Sequence, residues 1–276
     1  MARRLEIKGA RTLLTGASGG IGGALARRLA QEGAELILTG RRKDVLDSLA
    51  SELGAEAIVS DLALPGAPEQ LLAGAGRVDI LIANAVMSTT GPLATLDPAR
   101  IDGAIAVNLG APIALARGVI TQMSERDCGH MVFIGSLQSK AATGGASIYC
   151  ATKFGLRGFA LALRAELARS GVGVSLILPG FISDAGMYAD SGVKLPRGVG
   201  TRRPEQVAAA VVRAIREDVG EIEVAPLTLR AGAAIASLAP ELSARGMRLL
   251  GGERIARDFE RAQASSASDV RRHTPR

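Results

Sequence analysis

Short apolar segments alternate with stretches of helical periodicity along most of this chain, and no other feature restricts its fold as strongly. The predicted strands are 11–15, 35–39, 56–60, 79–83, 130–135, 173–178 and 221–224. The predicted helices are 20–32, 43–53, 67–75, 97–105, 107–126, 149–170 and 204–218. Strands that are connected through helices pair in parallel by right-handed crossovers, and the helices then cover both faces of the sheet. The alternation therefore predicts an α/β fold with a doubly wound, Rossmann-like sheet.

The rest of the chain adds to this fold without requiring a second domain. The 276 residues are 47% hydrophobic, which is enough for one large core. We predict a catalytic domain over 1–226, a helical extension of the same domain over 227–263, and a disordered tail over 264–276. Residues 184–203 are rich in Gly, Ser and Pro and lack strong periodicity, so we expect a long loop that covers the substrate.

The residues that could bind a ligand or take part in catalysis follow directly after the predicted strands. They are Gly16, Gly40, Arg41, Asp61, Asn84, Ser136 and Pro179. In doubly wound sheets, ligands bind beyond the carboxyl ends of the strands, where the strand order switches. One cleft is therefore expected to collect all of these residues.

A glycine-rich turn follows the first predicted strand. Residues 12–16 read Thr-Leu-Leu-Thr-Gly and continue into Ala-Ser-Gly-Gly-Ile-Gly over 17–22. Glycines let the backbone turn tightly and approach a pyrophosphate, whose charge the N-terminus of the next helix attracts. The spacing Gly16-x-x-x-Gly20-x-Gly22 differs from the standard G-x-G-x-x-G fingerprint. Taken alone, this segment could equally be an ordinary loop.

A tyrosine and a lysine make the glycine turn more informative. Tyr149 is followed four residues later by Lys153, and Ser136 lies thirteen residues before the tyrosine. A four-residue step places both side chains on one face of a helix. An ammonium near a phenol favours the phenolate, so we expect the pKa of Tyr149 to fall below its ordinary value of about 10. Such a phenol can exchange a proton with an alcohol or a carbonyl oxygen.

Composition argues against several other classes of protein. Cys128 and Cys150 are too few for a disulfide scaffold and lack metal-ligand spacing, and His130 has no suitable second ligand nearby, so we expect no metal. The net charge is +6, but the Lys and Arg residues are scattered along the chain, and few aromatic residues could stack on bases. We therefore expect no nucleic-acid partner. No apolar run is close to the roughly 18 residues of a membrane span, and the N-terminus lacks a signal-peptide core. We therefore expect a cytoplasmic protein.

Together these motifs resemble the short-chain dehydrogenase/reductase family over roughly residues 8 to 226. The resemblance is carried by residues 15–22, Asp61-Leu62, Ala83-Asn84-Ala85, Asn108, Ser136, Tyr149-x-x-x-Lys153 and Pro179-Gly180. It implies a single-domain, doubly wound fold with a seven-stranded parallel sheet. It also implies assembly as a homodimer or homotetramer.

The resemblance implies four catalytic roles as well. Tyr149 would exchange a proton with the substrate oxygen, and Ser136 would hold that oxygen. Lys153 would lower the pKa of Tyr149 and bind the nicotinamide ribose. Asn108 would hold a water that links Lys153 to solvent.

The same resemblance implies a nicotinamide cofactor. The expected contacts are Gly16, Ser18, Gly19, Gly20, Ile21, Gly22, Arg41, Arg42, Asp61, Leu62, Asn84, Ala85, Tyr149, Lys153, Pro179, Gly180 and Ile182. A carboxylate after the second strand would bind a ribose 2′-hydroxyl and repel a 2′-phosphate, but this strand ends in Gly40, followed by Arg41 and Arg42. Since a guanidinium fork suits a phosphate, we expect NADP in preference to NAD. Alternatively, the two arginines only begin a solvated helix.

Two residues depart from the family pattern. Val86 stands where the family has a glycine, and valine resists positive φ and adds bulk beside the cofactor. Asp184 stands where the family often has a threonine that touches the carboxamide. A carboxylate can still accept from that amide.

The sequence thus predicts an NADP-dependent oxidoreductase that interconverts an alcohol and a carbonyl. The expected pocket segments, 86–96, 137–147 and 181–203, hold few charges beyond Lys140, Asp184, Asp190 and Lys194, which favours a moderately apolar substrate. Two alternatives stay open. One is a sensor or scaffold that binds NADP without turnover. The other is a reductase of lipids or steroids that associates with membranes through the apolar stretch 227–250.

Overall fold

The computed structural model describes residues 5–184, 199–241 and 245, and its centre is a seven-stranded sheet. All neighbouring strands pair in parallel, in the order β3-β2-β1-β4-β5-β6-β7. The strands are β1 Arg11–Thr15, β2 Glu35–Gly40, β3 Glu56–Val59, β4 Ile80–Ala83, β5 Gly129–Ile134, β6 Val172–Pro179 and β7 Glu221–Val224. The predicted doubly wound, seven-stranded parallel sheet is confirmed.

Helices connect the strands and cover both faces of the sheet. They are α1 Gly20–Gln31, α2 Lys43–Leu53, α3 Ala67–Ala75, α4 Pro98–Ile105, α5 Ala111–Glu125, α6 Ser147–Glu166, α7 Pro204–Glu217 and α8 Leu227–Leu238. Two short 3₁₀-helices, Leu93–Thr95 and Leu137–Ser139, lie in the segments after β4 and β5. Every predicted helix is present, with its ends shifted by a few residues.

One predicted boundary is wrong. The sequence places a break between helices near residue 106, but a π-helical turn, Ala106–Gly110, joins α4 to α5 without interruption. A π-turn shifts the phase of the apolar side chains around a helix axis. The change of phase looks like a helix end in the sequence, although the backbone continues.

Two hydrophobic clusters cover the two faces of the sheet. On one face α1 packs against α7, and Leu25 and Val211 are both fully buried there. On the other face α3, α5 and α6 lie over Phe133 of β5, and Phe133 and Leu115 of α5 are also fully buried. Strands β4 and β5 are buried along their whole length, as expected for parallel strands with helices on both sides.

The strand order switches between β1 and β4. The chain leaves β1 towards β2 and β3, and later returns to β4 on the other side of β1. A crevice therefore opens at the carboxyl ends of β1 and β4, which is where such sheets bind their ligands.

The predicted helical extension begins as α8, and Ala233 packs against the core. The expected tail 264–276 and most of the extension after residue 241 lie outside the described residues.

One continuous helix, Pro98–Glu125, is long and apolar enough to cross a membrane by length and composition, which differs from the sequence expectation. This is weak evidence for a span, because a core helix of a soluble protein passes the same test and 44% of its apolar window is buried inside the fold.

Candidate active site

The glycine turn between β1 and α1 has the shape of a cradle for an anion. Gly16 has a φ of +67°, and a Cβ added there would lie 2.8 Å from the Ala85 Cα. A Cβ added at Gly22 would lie 2.1 Å from the Gly16 carbonyl oxygen, so a side chain cannot fit at this position. The free N–H groups at the start of α1 carry partial positive charge. The turn therefore fits the pyrophosphate of a dinucleotide.

A groove of about 470 Å³ opens beside this turn. Its lining includes Ser18, Gly19 and Gly20 from the turn, and Asp44 from α2. The side chain of Ile21 is not part of this lining and packs, partly buried, against the core. Of the predicted cofactor residues in the turn, Ser18, Gly19 and Gly20 therefore line the groove, whereas Ile21 packs against the core.

Thr15 and Asn84 join the carboxyl ends of β1 and β4. Asn84 Nδ2 donates to the Thr15 carbonyl at 3.0 Å and to the Gly16 carbonyl at 3.2 Å. In return, Thr15 Oγ1 accepts from the backbone N–H groups of Asn84 and Ala85 at 2.9 and 3.0 Å. We call these four bonds the Thr15–Asn84 clamp. It places the predicted cofactor residues Asn84 and Ala85 directly against the glycine turn.

The end of β2 lies close to the Ser18 hydroxyl, which would have to rotate away to admit a larger side chain. A Cβ added at Gly40 would lie 2.7 Å from Ser18 Oγ. The Arg42 guanidinium reaches back to the Ser18 carbonyl, while Arg41 is exposed. Both arginines therefore lie beside the glycine turn, on the side where the adenosine ribose of a dinucleotide would extend from the pyrophosphate.

Asp61 and Leu62 follow β3 and differ in their surroundings. Asp61 Oδ1 accepts from the Ala63 backbone N–H at 3.1 Å, which fixes the carboxylate at the turn. Leu62 is 8% exposed and packs in the core cluster beneath α3. Asp61 keeps one carboxylate oxygen outside this bond, whereas Leu62 belongs to the core.

Ser136, Tyr149 and Lys153 meet beyond the carboxyl end of β5. The Ser136 hydroxyl lies close enough to the buried Tyr149 phenol to influence its ionisation. Lys153 is only 2% exposed, and its Nζ lies 5.7 Å from the centre of the Tyr149 ring. Lys153 Nζ also donates to the Ile134 carbonyl at 2.8 Å. Helix α6 thus presents the tyrosine and the lysine to the end of the strand from which Ser136 continues.

The pKa values of this group differ from the sequence expectation. Burial raises the pKa of Tyr149 to about 12, although the nearby Ser136 hydroxyl opposes the rise. Burial also lowers the pKa of Lys153 to about 8. The expected fall of the Tyr149 pKa is therefore wrong, because removal from water disfavours the charged forms of both side chains. At neutral pH the phenol keeps a proton that it can donate.

Ser136 is held in place as the N-cap of the 3₁₀-helix Leu137–Ser139. Its Oγ accepts from the Gln138 backbone N–H at 3.2 Å. Ser139 Oγ accepts in turn from the Ser136 backbone N–H at 3.3 Å. The position of the Ser136 hydroxyl is therefore tied to the position of this short helix. Ser139 was not predicted, since a serine three residues after another carries no distinctive sequence signal.

Asn108 lies within the π-helical turn and is fully buried. Its Oδ1 accepts from the Met87 backbone N–H at 2.7 Å, and its Nδ2 donates to the Met87 carbonyl at 2.9 Å. Nδ2 also lies 3.4 Å from Thr152 Oγ1, one residue before Lys153. Asn108 thus links the segment after β4 to α6, and π-turns are frequent at functional sites. The water between Asn108 and Lys153 stays a prediction.

The segment after β6 packs closely against its neighbours. A Cβ added at Gly180 would lie 2.9 Å from Ala225 Cβ and 3.3 Å from Leu137 Cδ1, so this glycine brings the end of β6 against the 3₁₀-helix. Pro179 is the last residue of β6. Ile182 is 4% exposed and pairs with Arg202 in an isolated bridge.

The two departures from the family pattern have different outcomes. Val86 is not among the residues with positive φ, and its side chain is 41% exposed at the carboxyl end of β4. Asp184 has a φ of +64°, its Oδ2 accepts from Ser183 Oγ at 3.0 Å, and it lies 3.9 Å from Arg203 Nε. The rest of the predicted substrate loop, 185–198, lies outside the described residues, and so do Asp190 and Lys194.

Three other polar residues have roles outside the cleft. Lys140 was expected beside the substrate, but its Nζ donates to Glu223 Oε1 on β7 at 2.7 Å. Burial raises the pKa of the Cys150 thiol, as fits a packing residue. His130 is 2% exposed and pairs with Ser175. In the part of the chain that the structure describes, no group of three or more His, Cys, Asp or Glu could hold a metal ion.

Comparison with known proteins gives this arrangement a family. The model of the short chain dehydrogenase family matches residues 10–194. The ketoacyl reductase HetN of Nostoc sp. is 38% identical over 149 residues, which cover 54% of this chain and 52% of the relative. The 3-oxoacyl-[acyl-carrier-protein] reductase FabG of Escherichia coli is 31% identical over 64% of this chain and 75% of the relative. The chain thus spans about half the length of the Nostoc reductase.

Solved structures agree with the family model. A closed form of serine dehydrogenase complexed with NADP+ superposes with a TM-score of 0.71 at 30% identity, over 79% of this chain and 95% of that chain. A metagenomic short-chain oxidoreductase in complex with NADP superposes with a TM-score of 0.67 at 33% identity, over 80% of this chain and 99% of that chain.

Proposed function

Because this chain belongs to the short-chain dehydrogenase family, we propose that it is an NADP-dependent reductase that converts a moderately apolar ketone or aldehyde into an alcohol. The observation that carries this proposal is the meeting of Ser136, Tyr149 and Lys153 beyond the carboxyl end of β5. These side chains share the carboxyl edge of the sheet with a glycine turn that fits a dinucleotide pyrophosphate.

When bound, the cofactor supplies a hydride to the carbonyl carbon. Tyr149 donates its phenolic proton to the carbonyl oxygen, so that hydride and proton together complete the alcohol. The Ser136 hydroxyl donates a hydrogen bond to the same oxygen and holds it near the phenol. The Lys153 ammonium then stabilises the phenolate until the proton is replaced. Because the pKa of Tyr149 is raised to about 12, the proton is present at the start of a reduction.

Two features support NADP as the cofactor. The end of β2 carries no acid, and Arg41 and Arg42 lie beside the turn where a 2′-phosphate would extend. Two structurally similar proteins hold NADP or NADP+. The substrate proposal is supported by Val86 and Leu93, which are 41% and 57% exposed in the expected pocket segments, and by Lys140, whose charge faces away from them.

The reaction is tested with a panel of carbonyl compounds read at the absorbance band of NADPH. Replacing the phenol in Tyr149→Phe removes the proton donor, so turnover should fall by about 10²- to 10⁴-fold while the variant still folds and binds NADPH. Turnover within tenfold of the parent would reject the proposed mechanism.

Cofactor preference is tested by titration with NADPH and NADH. The parent should bind NADPH more tightly, and Gly40→Asp with Arg41→Ile should reverse the order. A charge-assisted phosphate contact contributes roughly 1.5–3 kcal/mol, or about ten- to more than a hundredfold in affinity. Lys43→Met is the matched control, because Lys43 is an exposed cation nearby that pairs with Asp47. Tighter binding of NADH by the parent would overturn the preference.

A second candidate is a reductase that associates with membranes through α8. Leu227, Ile235 and Leu238 are 75%, 57% and 88% exposed on this helix. An interfacial helix buries such side chains among lipid chains. Flotation with liposomes separates the two candidates, since a cytoplasmic reductase should stay in the lower fraction. We favour the cytoplasmic reductase, and we further propose that it assembles as a homodimer or homotetramer.

A further inference from the structure

The side chain of Lys140 leaves the cleft directly after the 3₁₀-helix that Ser136 caps. Its Nζ lies 2.5 Å from Glu221 Oε1 and 2.7 Å from Glu223 Oε1. Both glutamates belong to β7, and a two-residue step in a strand places them on one face. The Lys140 side chain is only 15% exposed, so this ion pair is shielded from much of the solvent.

Two arginines complete the group. Arg157 of α6 donates to Glu221 Oε2 at 2.7 Å, and Arg230 of α8 donates to Glu223 Oε2 at 2.9 Å. We call these five residues the Lys140 network. Burial opposes the charge of Lys140, but its hydrogen bonds with the two glutamates outweigh this effect and raise its pKa. The same bonds lower the pKa values of Glu221 and Glu223, so Lys140 and both glutamates stay charged at neutral pH. The network joins α6, β7 and α8 to the 3₁₀-helix.

Neighbouring contacts attach the same short helix to α8 and β6. Ser237 Oγ of α8 donates to the Lys140 carbonyl at 3.2 Å. A Cβ added at Gly180 would lie 3.3 Å from Leu137 Cδ1 and 3.6 Å from Leu229 Cδ1, so these side chains enclose the end of β6. The 3₁₀-helix is thus held by contacts with α8 and with the end of β6.

We propose that Lys140 is a positioning residue for the reduction: the Lys140 network fixes the 3₁₀-helix Leu137–Ser139, and through it the Ser136 hydroxyl, relative to Tyr149. The inference rests on the proposed function, since it assigns Ser136 a contact with the substrate oxygen. Lys140 itself touches neither substrate nor cofactor. Small displacements of a group that orients a substrate reduce turnover strongly, which gives the network a catalytic consequence.

Lys140→Met tests the proposal without leaving a buried charge alone. Glu221 keeps Arg157 and Glu223 keeps Arg230, so the variant is expected to fold. Its kcat should fall on the order of tenfold, measured well below the unfolding temperature, while the Kd for NADPH is unchanged. Lys140→Arg should restore most of the loss. Arg164→Met is the matched control, because Arg164 of α6 forms a comparable ion pair with Asp218, away from Ser136.

A double-mutant cycle separates positioning from general stability. If Lys140 acts through Ser136, then Lys140→Met should cause no further loss of kcat in a Ser136→Ala background. An equal loss in both backgrounds, or a kcat within twofold of the parent in Lys140→Met alone, would overturn the proposal.

Failure of the proposed function would look different. A parent that reduces no carbonyl compound rejects that function. Hydrogen exchange at the amides of Lys140 and Ala141, which both bond the Leu137 carbonyl, still reports whether the network holds the helix. Faster exchange in Lys140→Met supports the structural part of the inference, and unchanged exchange rejects it.

Discussion

Burial sets the chemistry of the two central side chains. Tyr149 and Lys153 are both removed from water, and this favours the neutral form of each. The Tyr149 phenol is therefore protonated at neutral pH, and the Lys153 side chain changes its charge near pH 8. A bound nicotinamide ribose would add hydrogen bonds to the Lys153 ammonium. Cofactor binding would therefore favour the protonated lysine, and the protonated lysine would strengthen cofactor binding.

The pH dependence of the reduction should reveal the ionisation of Lys153. The value of kcat/KM for NADPH reports ionisations of the free enzyme, and it should fall as pH rises through about 8, where Lys153 loses its proton. Tyr149 stays protonated up to pH about 12, so it does not add to this decline. The measurement is a profile from pH 6 to 10 for the parent and for Lys153→Met. The variant should be much less active and should lack the decline, and a parent profile that stays flat to pH 10 would contradict the assignment.

For single residues, the sequence identifies the candidate site residues better than it predicts their surroundings in the fold. The spacing of Tyr149 and Lys153 was enough to place them together on α6. Their pKa shifts could not be predicted, since these depend on packing from distant elements. Thr15 and Ser139 were missed as supporting residues, because their partners are mostly backbone groups, which a sequence does not mark.

At the scale of the elements, strands β5 and β6 share a buried polar contact. His130 Nε2 lies 2.8 Å from Ser175 Oγ, and the serine donates to the Val219 carbonyl at 2.7 Å. A Cβ added at Gly173 would lie 2.3 Å from His130 Nδ1, so the imidazole fills the space beside this glycine. Burial lowers the pKa of His130 to about 4, and Asp218 opposes this only in part.

This contact should make the fold sensitive to acid. A folded-state pKa below the ordinary value of 6.5 means that the stabilising effect is complete above pH 6.5 and is lost as pH falls towards 4. At pH 5 the loss in free energy of unfolding is about 2 kcal/mol by linkage. Urea unfolding at pH 7.5 and 5 should show this loss in the parent and a smaller one in His130→Gln. Equal losses in both proteins would assign the acid sensitivity to other groups.

The elements themselves were predictable to within a few residues, since apolar periodicity and turn residues mark them well. The π-turn at Ala106–Gly110 was not, because its phase shift imitates a helix end. The 3₁₀-helix Leu137–Ser139 was missed for another reason. Three residues are too few to show a period, and the contacts that hold this helix come from β7 and α8.

For the molecule as a whole, α5 and α6 present apolar side chains away from the core. Phe154 and Leu161 lie two turns apart on one face of α6 and are 43% and 39% exposed, and Ile113 of α5 is 36% exposed. Such a surface is a suitable contact between copies of the chain. It supports the proposed assembly as a homodimer or homotetramer.

A charge placed on this surface should separate the copies. Phe154→Glu should shift the mass measured by light scattering towards the monomer, because an unpaired carboxylate is costly to bury in an interface. Leu64→Glu is the control, since Leu64 is 61% exposed in the segment after β3, far from α6 in the sheet order. A monomeric parent, or equal behaviour of both variants, would reject this interface.

The Thr15–Asn84 clamp marks a crossover point for recombining this chain with its relatives. The first part of the chain builds β1 to β3 with the glycine turn, and the later part builds β4 to β7 with Ser136, Tyr149 and Lys153. Between the two parts, β1 and β4 meet in three residue pairs and the clamp, and α1 packs against α7 on one face of the sheet. A chimaera joined between β3 and β4 would thus inherit nucleotide preference from one parent and substrate choice from the other. The donors need to match at Thr15 and Asn84 and along the buried contact of α1 with α7, where the two parts touch.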